Sequence, residues 1–120
     1  MRHILSVLTA ALAMLGLSNS LHAASASWRC EFPGLGEPTT YIAELGTGKG
    51  KIVGNIGVSE VLVVEGPVAI SFIEPLRTGA VQLTTIILKT GEAAHSRNSV
   101  MSGVDKFMPS QAVGQCKPWN

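Results

Sequence analysis

Glycine and proline punctuate this chain so densely that no stretch sustains the period of a helix. After residue 26 there are twelve glycines and six prolines, and they cut the sequence into short pieces bounded by turn residues. The pieces are Trp28–Phe32, Thr39–Leu45, Lys51–Ile56, Glu60–Glu65, Val68–Glu74, Ala80–Lys89, Glu92–Met101 and a weaker Gln111–Cys116. Valine and isoleucine number 17 over this region against 12 for alanine and leucine, and side chains branched at Cβ favour the pleated strand. Trp28, Cys30 and Phe32 share one face of the first piece, with Arg29 and Glu31 on the other, which is the two-residue period of a half-buried strand with its cysteine turned inward. Gly46-Thr47-Gly48-Lys49-Gly50, Gly66-Pro67, Thr78-Gly79 and Thr90-Gly91 supply turns between pieces, so consecutive strands pair antiparallel. The expectation is an all-β chain: a small antiparallel up-and-down barrel of about eight short strands, with a flattened β-sandwich as the alternative. A barrel of that size fills its own interior, which directs binding to loops or an outer face.

The first 26 residues follow another logic. Met1-Arg2-His3 is a short basic start, and Ile4 to Leu17 is an uncharged apolar run of 14 residues, shorter than the roughly 20 that span a bilayer. Small residues follow, offering cleavage after Ala26 or after Ala23. Residues 1–26 read as a secretory signal peptide and 27–120 as a single β domain, with a periplasmic or secreted location and no stable membrane insertion after cleavage. Without the leader, eight Lys/Arg face eight Asp/Glu. The charges are interspersed, so the electrostatic term on which nucleic-acid binding depends is missing.

Cys30 and Cys116 are the only cysteines. In an oxidising compartment such a pair closes as a disulfide, and a loop enclosing nearly the whole domain contributes about 4–5 kcal/mol on the loop-entropy account. A metal or redox role has less support: there is no Cys-x-x-Cys, and His95 is the only histidine after the leader.

The search for reactive groups centres on His95-Ser96-Arg97. Neighbours on a strand point to opposite faces, so His95 and Ser96 do not meet, whereas His95, Arg97 and Ser99 line one side. His95 and Arg97 are candidate binding residues. No catalytic residue is assigned: no nucleophile elbow surrounds a serine, and nothing in the spacing brings Asp105 to His95. Gly46–Lys51 lacks phosphate-loop spacing, and Gly34-Leu35-Gly36 opens no βα unit. The eight acids show no spacing that selects a hydrolytic pair. No metal site or cofactor is implied. Trp28 reads as core, Trp119 as packed over the disulfide or exposed, and Phe107-Met108-Pro109-Ser110 as an edge loop suited to a partner contact.

The strings Gly79-Ala80-Val81-Gln82-Leu83-Thr84-Thr85-Ile86, His95-Ser96-Arg97, Met108-Pro109-Ser110-Gln111 and Gly114-x-Cys116 resemble a group of small exported bacterial proteins with no assigned activity. The resemblance covers the last third of the chain and implies export and paired cysteines. In layout, a leader followed by a small barrel with an end-to-end disulfide is similar to periplasmic inhibitors of c-type lysozyme. Their Tyr-x-x-Trp-Thr-Lys-Gly-like segment has no counterpart around Trp28 or Trp119, so no inhibitory residue carries over.

The functional expectation is a non-enzymatic, exported binding or inhibitory module that presents loops and one strand face to a periplasmic or envelope macromolecule. The alternatives are a structural or stress-related envelope protein and a small hydrolase with an unrecognised site.

Overall fold

The computed structural model describes residues 24–120; of the leader read over residues 1–26, residues 1–23 lie outside them. Eight strands run in chain order: β1 (Ser25–Glu31), β2 (Thr39–Glu44), β3 (Lys49–Gly54), β4 (Gly57–Glu65), β5 (Ala69–Pro75), β6 (Val81–Ile87), β7 (Glu92–Met101) and β8 (Lys106–Pro118). Each pairs antiparallel with the next and β8 pairs back onto β1, which makes a closed up-and-down barrel rather than a sandwich. Among the described residues no helix is long and apolar enough to cross a membrane.

Side-chain alternation sorts each strand into an inner and an outer row. Inside lie Cys30, Tyr41, Ala43, Val61, Val63, Ile70, Phe72, Ile86, Ala93 and Cys116, all buried, with Trp28 and Ile52 packed against them. Phe72 is wholly enclosed and orders the aromatic part of this core, with Tyr41 at 5.1 Å and Trp28 edge-on at 6.1 Å between ring centroids. Outside, β1–β4 carry opposite charges on neighbouring strands, Glu44 across from Lys49 and Lys51 across from Glu60. These pairs border an outer groove of about 780 Å³ that also exposes Ile42 and Leu62.

The seam between first and last strands is short. Only Trp28–Glu31 pair with Gln115–Pro118, and Cys30 and Cys116 stand directly opposite and are bonded. Strand β1 begins at Ser25, paired with Glu44. Trp119 does not pack over the disulfide. Its ring lies on the outer surface under the Arg29 guanidinium, 4.7 Å away.

The segment Phe107–Ser110 is strand rather than the edge loop expected from its proline. The Cys116 N–H donates to Gly91 O at 2.7 Å and the Trp119 N–H to Ser27 O at 2.9 Å. Even-numbered residues of β8 therefore turn their backbone groups toward β7 and odd-numbered ones toward the β1 side. Position 109 is odd, and β1 does not reach that far, so the N–H that proline lacks would have faced solvent. The upper halves of β7 and β8 continue past the barrel as a two-stranded ribbon, because β6 stops pairing at Arg97.

Gly114 is the close-packed point of the seam. A Cβ there would sit 2.2 Å from Glu31 O and 2.6 Å from the Phe32 ring. Gly114→Ala is expected to destabilise the fold by about 1–3 kcal/mol, the usual cost of overpacking, as measured by urea unfolding. Unchanged stability would mean that Phe32 is not pressed against β8.

Candidate functional site

One end of the barrel is packed shut and the other is not. The closed end carries the connections at 45–48, 66–68 and 88–91; the open end carries those at 32–38, 55–56, 76–80 and 102–105. Within the open mouth lies a cavity of about 390 Å³, at the small end of the ligand-site range. Its walls include Phe32, Tyr41, Ile52, Glu74, Gln82 and His95, and its rim Leu35, Glu37, Asn55, Ile56 and Val58. The interior is filled as expected of eight strands, but the filling stops short of this end.

Strand register assembles the polar wall. Phe72 on β5, Thr84 on β6 and His95 on β7 form one cross-strand row, and Glu74, Gln82 and Arg97 form the next row toward the mouth. Alternation puts both rows on the inner side. The Gln82 side-chain amide donates to a Glu74 carboxylate oxygen. Thr84 is 1% exposed and central to a second network: its hydroxyl lies 3.1 Å from the Tyr41 hydroxyl and 2.9 Å from His95 Nδ1. If Tyr41 donates to Thr84 and Thr84 to Nδ1, every hydroxyl hydrogen is used and the imidazole keeps its proton on Nε2. The opposite sense leaves the Tyr41 hydrogen without an acceptor among the described residues.

These contacts set the ionisation. Burial lowers the His95 pKa below the usual imidazole value; the positive charge of Arg97 adds to that and the negative charge of Glu74 opposes it. Burial raises the Tyr41 phenol, the Thr84 hydrogen bond opposes the rise and Glu74 reinforces it. Near neutral pH the mouth therefore holds an uncharged imidazole and an uncharged phenol.

Both candidate binding residues are now placed. His95 is half-buried on the inner wall with the Phe32 ring 5.6 Å away. Arg97 is exposed on the same strand, its charge acting on His95 without lining the cavity. Asp105 sits in the 102–105 turn at a φ of 50°, at the far end of the ribbon. Tyr41, Glu74, Gln82 and Thr84 were not singled out by sequence. The available signal was parity: Glu74 follows Ile70 and Phe72 at two-residue spacing, as Gln82 precedes Thr84 and Ile86. The hydroxyl that meets the imidazole, that of Thr84, is sealed from any substrate, so the arrangement favours recognition over nucleophilic chemistry. Among the described residues no cluster of three or more His, Cys, Asp or Glu is placed to hold a metal. Compared with protein-family models, curated proteins and solved structures, the chain matches none.

A base whose folded pKa is lowered leaves the unfolded chain holding more protons. Stability should then fall as pH drops through the ordinary imidazole value of about 6.5 and level off once the folded ring is also protonated. Urea unfolding of the wild type and His95→Gln between about pH 5 and 7.5 should show this acid-side loss in the wild type only. Parallel curves would contradict the buried, neutral imidazole.

Proposed function

We propose that this chain is an exported, non-enzymatic binding module that captures a protruding group of a periplasmic or envelope macromolecule in its barrel mouth. The observation that carries the reading is the convergence of Tyr41, Glu74, Gln82 and His95 on a cavity open at one end only, with apolar walls behind them. A concave apolar site with a few fixed polar groups suits recognition of one chemical group.

Export is supported by the basic and apolar leader and by the closed Cys30–Cys116 pair, which fits an oxidising compartment. Cleavage after Ala23 suits the fold better than cleavage after Ala26. It keeps the bond from the Leu45 N–H to Ala24 O and the pairing of Ser25 and Ala26 with β2.

The test is affinity capture from a periplasmic extract, with a lysozyme-inhibition assay as one arm. Ile56 is 98% exposed at the rim, so Ile56→Lys should abolish capture or inhibition with thermal stability unchanged. Val68→Lys, exposed at the closed end, should leave it intact. Capture that survives Ile56→Lys would remove the mouth as the site, and turnover of an envelope substrate abolished by Glu74→Gln would replace the binding reading with an enzymatic one.

A further inference from the structure

The charge inside the mouth is of one sign. Of the residues that line it, Glu37 and Glu74 are the charged ones, and no Lys or Arg contributes to its wall among the described residues. The imidazole of His95 adds no positive charge there, since burial and Arg97 both hold it neutral. Arg97 continues the Glu74–Gln82 row on β7 but is exposed and stands outside the lining.

Unused acceptors stand at the level of Glu74. Gln82 spends an amide hydrogen on one carboxylate oxygen, which leaves the second Glu74 oxygen and the Gln82 carbonyl to accept from an occupant. Below and beside them the wall is apolar, with Ile52 on one side and the Phe32 ring on the other. The free Glu74 oxygen can accept from an occupant, and a cation with several N–H donors satisfies a carboxylate most fully. A ring face beside the same cavity favours a cation further.

Resting on the mouth as the binding site, we infer that its ligand is a guanidinium or alkylammonium group on an aliphatic stem, with Glu74 as its counter-ion and Ile52 and Phe32 beside the stem. The same chemistry has two sources, a free small amine and an arginine or lysine side chain of a protein partner. The cavity of about 390 Å³ is large enough for one such chain. Glu37 at the rim attracts the cation before it enters.

The probes are n-butylguanidinium for the free source and an acetylated, amidated arginine-containing pentapeptide for the side-chain source. Butylurea and the matching citrulline peptide are the neutral isosteres. Titrations of the disulfide-bonded protein are followed by ¹H–¹⁵N NMR. At least one cationic probe should shift the amides of Glu74, Gln82 and His95 in a saturable way, more tightly than its isostere and more weakly as salt rises. Glu74→Gln should weaken it by about tenfold or more, as expected for loss of a charge-assisted hydrogen bond. Glu37→Gln, an exposed change that leaves the fold alone, should weaken it by a smaller factor.

Tighter binding of the peptide than of butylguanidinium identifies a protein side chain as the source, and the reverse order a free amine. Equal affinity for cation and isostere, or cation binding indifferent to both glutamate changes, overturns the inference. If cations fail while Ile56→Lys still abolishes capture, the mouth remains the site and only the ligand class is wrong. If cations bind at the mouth while capture survives Ile56→Lys, the ligand class stands and the macromolecular reading fails.

Discussion

The meeting of β1 with β8 is the contact on which the rest of the barrel depends. Seven of the eight strand pairings join neighbours in sequence through turns, but this one brings together segments separated by 86 residues. Closing so long a loop costs more chain entropy than any hairpin in the molecule. The seam itself offers only four residue pairs. The Cys30–Cys116 bond supplies what so short a ladder lacks, by holding the ends together in the unfolded chain as well. Without it, β1 and β8 become free sheet edges, each a template for pairing with another chain.

The seam also places the mouth. Phe32 follows Cys30 on the inner side, lies over Gly114 and brings its ring to within 5.6 Å of His95. A displaced seam would take one wall of the cavity with it. On the opposite wall, the row Phe72–Thr84–His95 ties the apolar core to the polar rim. Thr84 has no exposed surface to speak of, and its hydroxyl is tolerated there because both Tyr41 and His95 bond to it. Rigid placement of the imidazole follows from that network rather than from any contact with solvent.

Much of the fold was readable from residue order because a two-residue period is local. Trp28, Cys30 and Phe32 declare their inner face within five residues, and all eight expected pieces correspond to strands. Where the reading failed, the determinant was not local. Pro109 looks like a strand breaker until the register shows its missing N–H directed away from β7. Lys49 and Gly50 read as turn because the glycines around them mask a strand that already pairs with Leu62 and Val61. His95 and Arg97 were picked out from their types, and alternation correctly put them on one side, but only closure of the sheet makes that side the interior. Glu74 and Gln82 escaped notice for the same reason: a polar residue at an inward position is unremarkable until four strands converge on one cavity.

A binding site that depends on the seam makes the state of the two sulfurs decisive. The most direct measurement is equilibrium urea unfolding of the native protein with the disulfide intact and after reduction, with thiols counted by alkylation and intact mass. The account predicts no alkylation of the unreduced protein and a loss of about 4–5 kcal/mol of stability on reduction, with faster amide exchange along both β1 and β8. Free thiols in the native protein, or identical unfolding before and after reduction, would contradict it.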